Sequence, residues 1–402
     1  IITMEKFDFD KLTARRGSNC YKWDEAANDE VIPLWVADMD FEVAPAIKEA
    51  LRKRVEHGVF GYTMVPDSYY DAIINWFDNR HGWHINRDWI LYTTAVVPAL
   101  SCALKALTLP GEKVLVQTPV YNCFFSSIVN SGCLVEENRL VRDGNSYSID
   151  FEDFEKKCKD EKVTVFVLCN PHNPAGRVWT ADEMAKMNEI CRRNGVKVIA
   201  DEIHCEIVMP GYKYIPFASV SDDCLANSVT LLSPTKGFNI AGLQIANIVC
   251  SDEIVRKRIN RAININEVCD VNPFGVVALQ AAYNESADWL DQMNAYVYDN
   301  YIDLKSFCHE YLPKLEVLRL EGTYLAWVDV NALEFTTDEL TQLLADKANV
   351  MVNSGTMYGQ KAGQGYIRIN LACPRQRLRE ALNRIGRLLA EYMIDDIEGC
   401  PM

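Results

Sequence analysis

The chain has no apolar run approaching the ~20 residues that cross a bilayer, so nothing in it reads as a membrane-spanning helix. No charged-then-apolar leader opens it; Ile-Ile-Thr simply precedes Met4. Basic excess is missing too. The formal net charge is −15, and the densest basic stretch, "RQRLR" at 375–379, fits the solvated side of a helix. Such an acidic chain repels phosphate backbones, which argues against a nucleic-acid role. The 14 cysteines include no C-x-x-C pair. Cys20, Cys102, Cys123 and Cys169 lie in or beside apolar runs and read as buried free thiols of a reducing cytosol, against the alternative of a metal site or disulfide framework. Internal repeats, low-complexity tracts and linkers are also absent.

What is present is a core. With 402 residues, 49% of them hydrophobic, the chain suits two domains or one large α/β unit. Its middle alternates short apolar strands with helical patterns. Strands are expected at 113–117, 163–169, 196–200, 229–232 and 245–250, with helices at 97–108 and 181–194. The second helix opens on a capping box, Thr180 with Glu183. Continuous β-branched runs alternating with helices predict a mostly parallel sheet covered on both faces, with ligands beyond the carboxyl ends of the strands. The last third changes character. A long helix at about 286–312 precedes strands in "TYLAWVDV", 348–352 and "GYIRINLA", with helices at 337–347 and from 375. This predicts a smaller α+β domain over 286–402, joined by a loop-rich segment 1–50, around a large domain over 51–285.

The predicted strand ends carry unusual residues. "VTVFVLC" leads into "NPHNPAGR", a turn with two prolines, a glycine and two amide donors. "VKVIA" leads into "DEIH", placing Asp201 after an apolar strand, where a carboxylate is costly unless it meets a cation. "VLVQ" leads to Tyr121, and "VTLL" leads into "SPTK", ending at Lys236. An amide, a carboxylate, an aromatic ring, a hydroxyl and a lysine therefore gather along one edge. Pyridoxal 5′-phosphate asks for that set. Its aldehyde condenses with a lysine amine, and its ring nitrogen needs a carboxylate to stay protonated. Its ring stacks on an aromatic, and its phosphate suits a helix N-terminus such as "TTAVVPAL" at 93–100.

These residues, with "KWD" at 22–24, "PLWVADMDF" at 33–41, "GYT" at 61–63, "PGEKVLVQTPVY" at 110–121, "NPHNPAGRVW" at 170–179, "KGFNIAGL" at 236–243, "EGTYLAW" at 321–327 and "RINLACPR" at 368–375, give the chain a resemblance over nearly its whole length. It resembles the fold-type I pyridoxal-phosphate enzymes of the aminotransferase class I/II superfamily, and among them the cystathionine β-lyase/cystalysin-like C–S lyases. The resemblance implies a large domain with a mostly parallel seven-stranded sheet, a small α+β domain, and a cytoplasmic homodimer. The implied activity is elimination from sulfur amino acids.

Residue by residue, the resemblance implies that Lys236 carries the cofactor, Asp201 pairs with its pyridine nitrogen, and Tyr121 stacks on its ring. Asn173 and His204 face its phenolic oxygen, His204 standing where related aminotransferases have tyrosine. Ser233 and the amides of Val96 and Val97 hold its phosphate, and Tyr62 reaches the phosphate from the other subunit. Arg368 takes the substrate α-carboxylate, and Val36, Ala37 and Asp38 lie near the substrate. Asn170 reads as a turn former.

The chain departs from the family at Gln244, where many aminotransferases place an arginine for the phosphate, and at Ala95, where the family often has glycine. If that position needs positive φ, alanine costs about 1 kcal/mol there. "SPTKG" also replaces the usual Ser-Lys-Thr wording, which touches Thr235 and Gly237. Two other functions are open: an aminotransferase on the same scaffold, and a regulatory protein using the fold to contact a partner.

Overall fold

The structure is a computed structural model and describes residues 6–393; the start of the chain, including Met4, and the residues after Met393 lie outside that range. Its centre is a seven-stranded sheet in the order Ile90–Thr93, Ala246–Val249, Ser228–Leu232, Lys197–Asp201, Val163–Cys169, Lys113–Thr118, Leu134–Arg139. The five expected strands occupy its interior. Neighbours within that interior run parallel, except that Ala246–Val249 is antiparallel to the strands on both its sides. The mostly parallel sheet expected from the sequence is therefore present.

Side-chain alternation explains why these runs are strands and why they sit centrally. Val165, Val167 and Cys169 face one layer, with Ala99, Leu100, Val255 and Ile259. Phe166 and Leu168 face the other, with Phe154, Met184, Met187 and Ile190. Burial on both faces removes the polar alternation of a half-exposed strand. The two edge strands were not expected. Leu134–Arg139 ("LVEENR") is largely open to solvent and carries no continuous apolar run, while Ile90–Thr93 is only four residues long.

Helix Ala181–Arg193 opens with the full Thr180–Glu183 capping box. Helix Val96–Leu107 starts at Ala95, whose φ of −164° is extended backbone that any residue adopts, so the expected cost of alanine there does not arise.

The second sheet is four-stranded: Glu316–Val317, Leu325–Asp329, Tyr366–Asn370 and Asn353–Ser354. Helices Ala287–Tyr311, Thr337–Lys347 and Arg375–Met393 accompany it. The apolar stretch expected as a strand at 348–352 pairs elsewhere. Its Val350–Met351 core runs parallel to Ile32–Pro33 and forms a separate two-stranded sheet with the N-terminal segment. Every cysteine among the described residues is a free thiol. No helix among them is long and apolar enough to cross a membrane, and no group of His, Cys, Asp or Glu among them could hold a metal ion.

Candidate active site

Strand register brings the site together. Cys169 lies opposite Asp201, and Asp201 opposite Leu231, so three parallel strands end at one level. Thr93 pairs with Ala246 beside them, which brings Gln244 and the start of helix Val96–Leu107 to the same edge. Beyond this edge is a cavity of about 470 Å³. Val96, Val97, Tyr121, Asn173, Asp201, His204, Lys236 and Arg368 all line it, with Arg368 supplied by the second sheet.

Three expected site residues do not line it: Ser233, Tyr62 and Asp38, whose neighbours Val36 and Ala37 do. Ser233 is one layer back, its Oγ donating to the Ile245 carbonyl at 2.7 Å and sharing a 2.7 Å bond with Thr235 Oγ1; Thr235 is the one on the wall. Tyr62 is fully exposed and is not among the residues that line this cavity.

Lys236 follows the buried strand Ser228–Leu232 through the Ser-Pro-Thr turn. Its Nζ donates to the Ala37 carbonyl at 2.5 Å, and the same oxygen accepts the Tyr324 hydroxyl at 2.9 Å. Burial, and then the charge of Arg368, lower its pKa to about 8. The glycine after it is a packing requirement: a Cβ on Gly237 would stand 2.8 Å from Glu206 Cβ.

Asp201 ends its strand fully buried, accepting the Ile203 amide at 3.1 Å. Burial raises its pKa to about 6 against the pull of that amide and of Lys236. Burial, then the charges of Lys236 and Arg368, hold His204 far below the usual imidazole range, so its ring is neutral. Its Nδ1 is buried without a partner among the described residues.

Arg368 spreads its guanidinium over the Tyr358 ring at 4.9 Å. It donates to Asn173 Oδ1 at 3.1 Å and to the Trp35 carbonyl at 2.8 Å, while its buried Nε has no partner among the described residues. The first bond uses the Asn173 acceptor and leaves its Nδ2 as donor. Burial, then Cys123 and Asp201, push the Tyr121 phenol upward, so it stays protonated at neutral pH. Asn170 turns away: its amide donates to Glu202 at 3.2 Å and to the Ile215 carbonyl at 3.1 Å.

The set fits pyridoxal 5′-phosphate. A half-buried lysine of lowered pKa and a buried carboxylate share one wall. Buried nitrogens on His204 and Arg368 have no partner among the described residues. The first amides of helix Val96–Leu107 have no intrahelical acceptor and open onto the cavity beside Thr235.

Sequence reasoning missed several lining residues: Thr235 as a hydroxyl on the wall, Tyr21, Trp35, Cys123, Asn353, Met357 and Tyr358. Thr235 adjoins the lysine and was within reach of the argument. Asn353 and Tyr358 come from a short strand and a single helical turn without a sequence pattern of their own.

The open α/β sheet carries a lysine, a carboxylate and an arginine beyond its strand ends, where such sheets bind ligands, and its likeness to solved pyridoxal-phosphate enzymes makes it a fold-type I scaffold. A model of the family described as aminotransferase class I and II matches residues 29–385, and the chain belongs to that family. It is 40% identical over 387 residues to the cystathionine beta-lyase PatB of Bacillus subtilis, covering 95% of this chain and all of the relative. Among solved structures, cystalysin from Treponema denticola, which contains a pyridoxal 5′-phosphate cofactor, superposes with a TM-score of 0.94 at 33% identity, over 96% of this chain and 100% of that one. The pyridoxal-phosphate-bound C–S lyase of Staphylococcus hominis, complexed with L-cycloserine, gives 0.90 at 32% identity, over 96% and 98%.

Proposed function

We propose that the chain is a pyridoxal 5′-phosphate-dependent carbon–sulfur β-lyase that converts L-cystathionine- or L-cysteine-type amino acids into pyruvate, ammonia and a thiol by α,β-elimination. The observation that carries this reading is the meeting of Lys236, Asp201 and Arg368 in one buried cavity, with Gln244 rather than an arginine on its wall. The relatives named as a cystathionine beta-lyase, a cystalysin and a C–S lyase point the same way.

Lys236 would hold the cofactor covalently, and Asp201 would hold a proton on its ring nitrogen. Tyr121 would cover its ring, Asn173 and His204 would face its phenolic oxygen, and the Val96 and Val97 amides, with the Ser233–Thr235 hydroxyl pair, would cradle its phosphate. Bound there, pyridoxal 5′-phosphate supplies the electron sink that acidifies the Cα–H bond of an amino acid. Arg368 binds the α-carboxylate through the planar two-donor geometry of its guanidinium, which fixes the substrate at the cavity wall. Lys236, with an amine of lowered pKa, accepts the Cα proton as general base. The β-thiolate then departs, and water converts the remaining three-carbon fragment to pyruvate and ammonia.

The chain works as a cytoplasmic homodimer, with Tyr62 of each subunit serving the phosphate of the other. An exposed apolar run supports this: Val55, Val59, Phe60, Tyr62 and Met64 all lie open to solvent. Residues 51–285 form the cofactor-binding domain, and 1–50 associates with the small domain over 286–402. Transamination is the second reading, favoured by the family's description as aminotransferase class I and II. A product assay on a panel of sulfur amino acids separates the two: elimination gives pyruvate, whereas transamination gives a keto acid that keeps its sulfur.

A further inference from the structure

The backbone carbonyls of the loop Trp35–Met39 accept side chains of the site and of the strand behind it. The Trp35 oxygen accepts Arg368 Nη2 at 2.8 Å and Asn353 Nδ2 at 2.9 Å. The Val36 and Asp38 oxygens accept Asn370 Nδ2 at 2.7 and 2.6 Å, and the Ala37 oxygen accepts Lys236 Nζ at 2.5 Å. Both cations assigned to the reaction thus rest on one strip of backbone.

Behind that strip is a charge cluster outside the cavity lining. Arg15 forks onto Asp38 at 3.0 and 2.7 Å, and its Nη1 also reaches Asp40 at 2.8 Å and the Met39 carbonyl at 3.1 Å. Lys22 Nζ lies 3.3 Å from Asp40 and 3.6 Å from Asp38, and both Lys22 and Asp40 have fully buried side chains. Trp23 Nε1 donates to Asp40 at 2.9 Å, and Arg377 closes on it at 3.5 Å. Burial alone would raise the Asp40 pKa, yet Lys22, Trp23 and Arg15 hold it below the usual carboxylate range. Burying such a network is costly, and apolar packing could fill the same space at no greater cost in stability. What the network adds is direction. A planar fork on Asp38 fixes the orientation of the loop in a way that apolar contacts do not.

We propose that Arg15 is a positioning residue: through Asp38 and Asp40 it fixes the 35–39 loop so that the Trp35 carbonyl aims Arg368 at an incoming α-carboxylate. The proposal rests on the reading of Arg368 as the α-carboxylate ligand.

The test uses the cofactor-loaded enzyme and two reagents that capture the cofactor and differ in a carboxylate, aminooxyacetate and methoxyamine, with capture followed by visible absorbance. Wild type reacts faster with aminooxyacetate. Arg15→Gln slows aminooxyacetate about ten- to a hundredfold and methoxyamine less than about threefold, because a small misplacement of Arg368 touches only the carboxylate-bearing reagent. Asp38→Asn, at a partly exposed carboxylate, gives the same selective loss and carries the test if Arg15→Gln does not fold. Arg15→Lys falls between, since an ammonium keeps the charge and loses the fork. Asp24→Asn is the control. Asp24 accepts the Gly17 and Cys20 amides at 2.8 Å in the same segment and does not contact the loop, so its loss lowers stability and leaves the ratio of the two rates unchanged. Folded Arg15→Gln and Asp38→Asn enzymes that keep the wild-type ratio overturn the proposal alone. A wild type that does not distinguish the reagents overturns the reading of Arg368 and the proposal with it.

Discussion

Lys236 Nζ donates to the Ala37 carbonyl at 2.5 Å, linking residues 199 positions apart. The bond holds the amine at the edge where Asp201, His204 and Arg368 converge, and burial with the Arg368 charge brings its pKa down to about 8. An amine must be neutral to attack an aldehyde. The rate at which cofactor-free protein takes up pyridoxal 5′-phosphate therefore rises with pH through a midpoint near 8, instead of climbing towards the ordinary lysine value of 10.5. Lys236→Ala abolishes the borohydride-trappable link to protein. Trapping that persists at another lysine contradicts the assignment.

Asp201 gives a stability prediction whose sign follows from its raised pKa of about 6, against an ordinary value of 3.8. Below about pH 4 the folded and unfolded forms of cofactor-free protein both carry the proton, and burial costs nothing extra. Between the two values the folded state binds more protons, so stability falls as pH rises, and the loss is complete above pH 6. The full difference is about 3 kcal/mol at roughly 1.4 kcal/mol per pKa unit. Cofactor-free Asp201→Asn should accordingly match wild type near pH 4 and exceed it in thermal stability at pH 7. A constant offset between the two melting curves across this range would contradict a buried, raised Asp201.

Arg368→Lys separates geometry from charge. Lysine keeps the positive charge but cannot make two parallel bonds to an α-carboxylate or reproduce the contacts to Asn173 and the Trp35 carbonyl. A fall in kcat/KM of about ten- to a hundredfold is expected, equivalent to ~1.5–3 kcal/mol for a hydrogen bond to a charged group. Near-wild-type kcat/KM in Arg368→Lys would remove Arg368 from substrate recognition.

Tyr62 tests the shared site. It is fully exposed in its own chain, within an apolar run that a second copy would cover. Sedimentation at micromolar concentration should give a stable dimer, and an interface of this kind buries about 2,000 Å² or more. Tyr62→Phe should weaken cofactor binding by about 1–3 kcal/mol, since one phosphate oxygen loses a donor. A fully active monomer would rule out this role.

The sheet was legible where burial on both faces leaves an unbroken apolar run, as in Val163–Cys169 and Ser228–Leu232. It was not legible at Leu134–Arg139, an edge strand whose pairing is fixed by its neighbour Lys113–Thr118 rather than by its own composition. Within the site, Lys236, Asp201 and Tyr121 could be named because each follows an apolar strand or its turn. Arg368 lies inside a strand of the second sheet, and only the resemblance pointed to it. The concern over Ala95 assumed a positive φ that the extended backbone does not have. Ser233 and Thr235 show the limit of such reading: spacing alone cannot say which of two nearby hydroxyls points into the cavity and which caps the Ile245 carbonyl.

The most direct measurement is the product balance from L-cystathionine with and without 2-oxoglutarate. Elimination through Lys236 and Arg368 predicts pyruvate, ammonia and homocysteine in equal amounts, released without a keto-acid partner and at a rate that 2-oxoglutarate does not raise. Turnover that requires 2-oxoglutarate, accumulates glutamate and leaves the C–S bond intact would contradict the account and make the chain an aminotransferase.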